Sequence, residues 1–222
     1  MKRTTVLVAG VMGVVAGSAE ATVLTGAYAF FSGAASTADA DLGSSPSTYS
    51  ASVSSTTPAA SASSTLVWGA SSYSFTGTTS GDTGSTIFAY SNGIATFTFA
   101  TAMNVTMSWN LASVAGKSSD PGSLAGWTIE NTSTSSTVYG IQFTNSASTP
   151  SSVAGGITAS NTASGVTGLV AAGTYRVATA VQVDVPASGP FSVTISFTPV
   201  PAPGALPLVA VASLIARRGR RR

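Results

Sequence analysis

The chain has 222 residues, no Cys and no His, and only 7% of its residues are charged. These absences exclude disulfide bonds, catalytic triads with a histidine base, and zinc sites built on imidazole or thiolate ligands. The formal charge of +2 comes from the two ends, because residues 22–200 carry two cations, Lys117 and Arg176, against six carboxylates. An acidic body lacks the basic patch that binds phosphates, so we predict no nucleic-acid partner.

The N-terminus has the three parts of a secretory signal peptide. Lys2 and Arg3 precede a mostly apolar run over residues 6–16, and Ala19 and Ala21 form a small-residue cleavage site. A short apolar run that ends in small residues is typical of a cleaved signal rather than of a permanent anchor. We therefore predict a signal peptide over residues 1–21, export of the chain, and one domain over residues 22–200.

Residues 32–64 are rich in Ser, Thr and Ala, are poor in large apolar residues, and contain Pro46 and Pro58. Two interpretations are open. Such a composition is typical of a flexible and sometimes glycosylated segment. It is equally compatible with strands of small residues that join the folded domain.

From Leu66 onward, apolar and polar residues alternate with a period of two. Alternation over five or more residues indicates a strand that is buried on one face. The residues predicted to face the core are Phe97, Phe99, Val105, Met107, Trp109, Leu111, Trp127, Ile129, Tyr139, Ile141, Phe143, Tyr175, Val177, Val181, Val183, Val185, Phe191, Val193, Ile195 and Phe197. We therefore predict an all-β fold, an antiparallel β-sandwich of jelly-roll or immunoglobulin-like type.

Turn-forming residues divide these strands. We predict turns at Ser91-Asn92-Gly93, at Gly81-Asp82 and at Asp120-Pro121-Gly122. The segment Ala187-Ser188-Gly189-Pro190 separates the last two strands, and its length and composition suggest a hairpin.

Carboxylates are the candidate catalytic and metal-binding groups of this sequence. Glu130 and Asp184 both lie on outward strand faces, so they are candidates for the acid and base of a glycosidase. The alternative is that they are solvated side chains of an acidic exported protein. Asp39-Ala40-Asp41 with Asp82 or Asp120 would suit Ca²⁺, although the sequence contains no 12-residue EF-hand loop. Calcium is the one cofactor that we consider; otherwise we expect none.

The three tryptophans could belong to the core or to a sugar-binding surface. Trp109 and Trp127 share strand faces with apolar neighbours, which favours the core. The residues around Trp68 do not alternate cleanly, so Trp68 is the candidate for stacking on a sugar ring. A carbohydrate-binding or adhesive module is therefore an alternative function.

The C-terminus combines a proline motif, an apolar run and a basic cluster. Pro201, Ala202 and Pro203 precede the apolar residues 205–216. The basic cluster consists of Arg217, Arg218, Arg220, Arg221 and Arg222. A helix of this length reaches about 18 Å, whereas a bilayer core is roughly 30 Å thick, so we predict temporary rather than permanent membrane retention. The arginines are expected to stay at the cytoplasmic face.

The order of these three parts resembles the PEP-CTERM sorting tail of exported bacterial proteins, in a variant with Ala202 at the position where Glu is usual. The resemblance covers residues 200–222. It implies that an exosortase cuts near Pro201–Pro203 and passes the protein to the cell surface or the extracellular matrix. We therefore expect a non-enzymatic surface protein that is associated with exopolysaccharide and only transiently anchored.

Overall fold

The computed structural model describes residues 23–31, 36–56, 59–81, 87–117, 123–144, 147–184 and 189–201. Among these residues, thirteen β-strands and no α-helix are found. In chain order the strands are β1 (Val23–Phe31), β2 (Ser36–Gly43), β3 (Thr48–Thr56), β4 (Ala59–Gly69), β5 (Ser72–Gly81), β6 (Ile87–Phe99), β7 (Met103–Asn110), β8 (Leu124–Asn131), β9 (Ser136–Thr144), β10 (Ser152–Ala154), β11 (Thr162–Val170), β12 (Gly173–Asp184) and β13 (Gly189–Pro199).

The strands form two antiparallel sheets that enclose one core. The seven-stranded sheet has the order β10-β9-β8-β12-β6-β1-β2, and the six-stranded sheet has the order β11-β7-β13-β5-β4-β3. The chain passes repeatedly from one sheet to the other, for example from β5 to β6 and from β6 to β7. The prediction of an all-β protein with two antiparallel sheets is confirmed, and the arrangement is consistent with a β-sandwich.

The residues that the alternation predicts to face the core are found there. Almost all predicted inward residues whose side chains are described are buried, and Tyr139 is half-buried. The side chain of Val183 and the whole of Val185 lie outside the described part of the chain. One polar residue joins the buried face of β12, since Thr179 is only 1% exposed.

The segment rich in Ser, Thr and Ala forms strands wherever it is described. It supplies β2, β3 and the first part of β4, so the second interpretation is confirmed for those residues. Several of its inward side chains are small, such as Ala51, Ala62 and Ser64. Cα atoms of β1 approach those of β3 and β4 to within 8 Å, whereas packed sheets are usually about 10 Å apart. Small side chains therefore bring the two sheets close together on this side.

The predicted turn at Ser91-Asn92-Gly93 is wrong, because these residues lie within the continuous strand β6. The glycine has a packing role instead. A Cβ atom on Gly93 would lie 2.4 Å from Cδ2 of Phe75 in the opposite sheet, so the missing side chain makes room for an aromatic ring. Glycine in a strand interior often marks such a close approach.

The predicted hairpin at residues 187–190 is also wrong. Strand β12 pairs with β6 and β8, whereas β13 pairs with β5 and β7 in the other sheet. The connection therefore passes between the sheets. At Gly81-Asp82, β5 ends at the glycine as expected, whereas Asp82 and the predicted turn at residues 120–122 lie outside the described residues.

A tyrosine closes the sandwich at the edge formed by β9 and β11. The Tyr139 hydroxyl donates to the carbonyl O of Leu169 (3.0 Å) and accepts from its N–H (2.9 Å). Because β11 pairs only with β7 among the described strands, these two backbone groups would otherwise face an open edge. The ring lies over Gly168, where a Cβ atom would be 2.5 Å from Cζ of Tyr139.

The opposite edge is closed by a second tyrosine and a carboxylate. The Tyr49 hydroxyl donates to the carbonyl O of Ser45, and its ring packs against Gly43 at the end of β2. Oδ2 of Asp41 accepts a hydrogen bond from the N–H of Ser50 in β3 (3.0 Å). Within the described part of the chain β3 pairs with β4 alone, so this carboxylate satisfies a backbone donor at the sheet edge.

A polar bridge crosses the core between the sheets. The hydroxyl of Tyr73 in β5 donates to the carbonyl O of Gly93 (3.0 Å) and shares a second hydrogen bond with Oγ1 of Thr179 (2.8 Å). Burial raises the pKa of the Tyr73 phenol well above its ordinary value of 10.0. The bridge therefore holds a neutral tyrosine, and it explains why a threonine interrupts the buried valines of β12.

Candidate functional site

The two carboxylates considered for glycoside hydrolysis are not brought together. Glu130 accepts a hydrogen bond from Nη2 of Arg176 at 2.5 Å, and the two residues are register partners on β8 and β12. Asp184 lies eight residues further along β12, which is about 26 Å at the usual rise per residue. An acid and base pair needs a separation of about 5 to 10 Å. Glu130 and Asp184 therefore do not form a site of that kind.

The calcium candidates are only partly within the described residues. Asp41 directs one carboxylate oxygen to the backbone of β3, as described above. The side chain of Asp39 and the whole of Asp82 and Asp120 lie outside what the structure describes. In the described ranges, no group of three or more Asp, Glu, His or Cys side chains could hold a metal ion.

All three tryptophans belong to the core. The rings of Trp109 and Trp127 are 5.2 Å apart, and Nε1 of Trp109 donates to the carbonyl O of Ser160 (2.8 Å). Their prediction as core residues is confirmed. Trp68 is only 6% exposed and packs edge-on against Phe97, so its prediction as a sugar-stacking residue is wrong. Its neighbour Val67 takes the outward position of β4 and is 46% exposed.

Regular strand pairing ends directly before the predicted sorting motif. Strand β13 ends at Pro199, and the N–H of Val200 donates to the carbonyl O of Ala102 (3.1 Å). Pro201 follows in an exposed and irregular conformation. Since proline has no N–H group, Pro199 and Pro201 cannot donate to a β-ladder, and pairing stops here. The first proline of the predicted sorting motif is therefore exposed at the end of the described range.

The remaining predicted targeting residues lie outside the described part. These are Ala19 and Ala21 of the signal peptide, and Ala202, Pro203, Arg217, Arg218, Arg220, Arg221 and Arg222 of the tail. Strand β1 begins at Val23, shortly after the predicted cleavage site. Within the ranges given above, the structure contains no helix of the length and apolar character needed to cross a membrane.

Charge divides the two sheets. The strands of the six-stranded sheet contain no Asp, Glu, Lys or Arg, whereas the seven-stranded sheet carries Asp39, Asp41, Glu130, Arg176 and Asp184. Apart from glycine, the outward residues of the six-stranded sheet whose side chains are described are Ser, Thr or Asn at all but three positions, which are Val67, Leu169 and Pro190. We call this surface the hydroxyl face.

Register aligns the polar side chains of the hydroxyl face into rows that cross the strands. One row contains Ser50, Thr65, Thr76, Ser192, Asn110 and Thr162. Neighbouring strands are about 4.8 Å apart, and successive outward residues on one strand are about 6.7 Å apart. The face is thus a regular lattice of hydroxyl and amide groups.

A groove of about 280 Å³ lies on the hydroxyl face where β4, β5, β13 and β7 adjoin. Its lining includes Thr65, Thr76, Ser192 and Asn110 from the row described above. Its volume is just below the usual range of small-molecule sites, roughly 300 to 1,000 Å³. Among described residues, the Thr76 and Ser192 side chains have no hydrogen-bond partner. The groove can therefore offer unoccupied hydroxyl groups to a ligand.

Two interactions order the groove. Oδ1 of Asn110 accepts from the N–H of Ala112 (3.2 Å), which leaves its amide NH₂ group available as a donor. Oγ of Ser63 and Oγ1 of Thr78 are hydrogen-bonded to each other at 2.8 Å. The groove thus combines a donor amide, a paired set of hydroxyls and free hydroxyls, without a charged group in its lining.

The hydroxyl face is not among the features predicted from the sequence, although a signal for it is present. The predictions rest on the apolar half of each alternating strand and do not distinguish one polar strand face from another. The outward residues differ between strands, since in β7 and β13 only Ser, Thr, Asn or Pro alternate with the core residues.

Comparisons with protein-family models, with curated proteins and with solved structures found no match to this chain.

Proposed function

We propose that this chain is an exported, non-enzymatic protein of the cell surface or extracellular matrix that is associated with exopolysaccharide. In this proposal, a signal peptide directs export, and the C-terminal tail retains the protein at the membrane until an exosortase cuts near Pro201–Pro203. The domain over residues 22–200 is the part delivered outside the cell, without a cofactor. We also propose that its sandwich is of the jelly-roll type, because the chain alternates between the two sheets.

One structural observation carries the processing step of this proposal. The last backbone hydrogen bond that the structure describes before the tail is made by Val200, and Pro201 follows it as an exposed residue. A protease needs an unpaired and accessible backbone, and such segments flank folded domains. Because β13 ends at Pro199, cleavage within residues 201–204 would release the sandwich without breaking any strand.

Mass spectrometry of the protein recovered outside the cell tests the proposal. We expect a mature C-terminus within residues 201–204 and a mature N-terminus at Thr22. A matched variant that lacks residues 217–222 keeps the proline motif but loses the cationic block, so it should escape processing. Recovery of wild-type protein that still carries Arg222 would contradict the processing step. Detection of the protein only in the cytosol, with both ends intact, would contradict export as well.

A further inference from the structure

We propose that the hydroxyl face, centred on its groove, is the surface that binds an uncharged polysaccharide chain. This inference rests on the proposed function, because it assigns a surface to the association with exopolysaccharide. It names a region different from Trp68, which is buried.

The charge distribution of the hydroxyl face indicates whether its ligand is charged or neutral. An anionic polysaccharide would be attracted by Lys or Arg, yet the strands under this face contain neither. Of the described cations, Arg176 belongs to the other sheet and is paired with Glu130, and Lys117 follows β7 in the loop outside the strands of this face. Carboxylates, which would repel acidic sugars and attract basic ones, are absent from these strands too. A neutral ligand is therefore the one to which this face is electrostatically complementary.

The polar groups of the face match a ligand that is covered with hydroxyl groups. Each Ser or Thr hydroxyl can both donate and accept a hydrogen bond, as sugar hydroxyls do, and the amide of Asn110 adds a donor. The spacing between strands, about 4.8 Å, is close to the length of one sugar ring. A chain that lies along the row from Thr65 through Thr76 and Ser192 to Asn110 would therefore meet a polar partner at each ring.

The same face is poorly suited to a protein partner. Protein interfaces depend on buried anchors, most often Trp, Tyr, Arg and other large side chains. The hydroxyl face presents none of these, and its large exposed apolar residues, Val67 and Leu169, lie on different strands that are far apart in the sheet. Short side chains leave the backbone near the surface, so the groove is shallow and open to an extended chain.

Affinity electrophoresis tests the proposal with the full chain, produced in its own cells and recovered from the envelope or the medium. The native gels contain hydroxyethylcellulose or dextran as uncharged polymers, or polygalacturonate as an anionic one. We expect the wild-type protein to be retarded by at least one uncharged polymer and not by polygalacturonate. Because the interaction is not ionic, 0.5 M salt should leave the retardation unchanged within about a factor of two.

Two variants locate the surface. The triple variant Thr76→Ala, Ser192→Ala and Asn110→Ala removes three polar groups of the groove, and each lost hydrogen bond should weaken binding about threefold to tenfold. The control Thr128→Ala removes a hydroxyl from the seven-stranded sheet and should bind as the wild type does. Circular dichroism and urea midpoints show whether each variant is folded. If the triple variant is destabilised, the single variants Thr76→Val and Ser192→Ala are measured in its place; each removes one hydroxyl and should weaken binding about threefold to tenfold.

The outcomes separate this inference from the proposed function. Equal retardation of wild type and triple variant, retardation only by polygalacturonate, or no retardation by any of the polymers would overturn the inference. In each of these cases the proposed function would still stand if the processed protein is found in the matrix. Conversely, failure of export or processing would contradict the proposed function, whereas binding of neutral polymers that depends on the groove would still support the inference.

Discussion

The substitution Tyr73→Phe should destabilise the sandwich by a measurable and specific amount. It removes the hydroxyl that bonds to the carbonyl O of Gly93 at 3.0 Å and to Oγ1 of Thr179 at 2.8 Å. Tyr73 is 0% exposed and Thr179 is 1% exposed, so water does not readily replace the lost partner. A buried polar group left without a partner costs about 1 to 3 kcal/mol, and we expect the free energy of unfolding to fall by that amount.

A double-mutant cycle separates the bridge from other effects of the substitution. Thr179→Val also breaks the bridge, with a side chain of similar shape. Replacing both partners by apolar groups can be nearly neutral, because no polar side chain is then left unpaired. The double variant should therefore lose less stability than the sum of the two single variants, with a coupling energy of about 1 kcal/mol.

Urea unfolding, followed by tryptophan fluorescence, provides the measurement. The matched control is Tyr175→Phe. The Tyr175 hydroxyl donates to the carbonyl O of Ala171, four residues earlier (3.1 Å), and Ala171 is exposed. Water can replace this partner, so the control should lose less stability than Tyr73→Phe. The reasoning is refuted if the two single variants at the bridge are additive within about 0.3 kcal/mol, or if the control is affected equally.

Two further predictions follow from tyrosines described above. The raised pKa of Tyr73 means that, above pH 10, the unfolded chain ionises this residue while the folded chain keeps it neutral. The free energy of unfolding should then fall by about 1.4 kcal/mol per pH unit from this residue, and Tyr73→Phe should show a shallower fall between pH 10 and 11.5; equal slopes would contradict the assignment. At the edge of the sandwich, Tyr139→Phe removes the partner of both backbone groups of Leu169. We expect the Leu169 amide to exchange hydrogen about fivefold faster, as measured by NMR or mass spectrometry, with the distant amide of Val193 unchanged as the control.

The sequence predicts the strands of this protein better than their connections. Alternation in segments such as residues 105–111 and 191–198 reports which residues face the core, because the pleat of a strand fixes that periodicity. It carries no information on which strands are neighbours. The segment at residues 187–190 therefore looked like a hairpin, although β13 crosses to the other sheet and pairs with β5, more than a hundred residues earlier in the chain.

Glycine was the least reliable signal in this sequence. Gly93 follows an asparagine, and this pair is a strong turn signal when only local preferences are considered. The competing use, space for the Phe75 ring, depends on a contact between distant strands and cannot be recognised locally. The groove on the hydroxyl face cannot be recognised locally either. Its residues Thr65, Thr76, Ser192 and Asn110 become neighbours only through strand pairing.

The two sheet edges at β3 and β11 determine how readily copies of this protein can associate strand to strand. Strands β3 and β11 are long and uncharged, which is a composition prone to stacking into fibres. The Tyr139 hydroxyl is bonded to both backbone groups of Leu169 in β11, and the Asp41 carboxylate accepts from the N–H of Ser50 in β3. Recruitment of a neighbouring copy at these positions therefore requires those contacts to be broken first. Growth of copies into amyloid-like fibres through these two strands should accordingly be disfavoured.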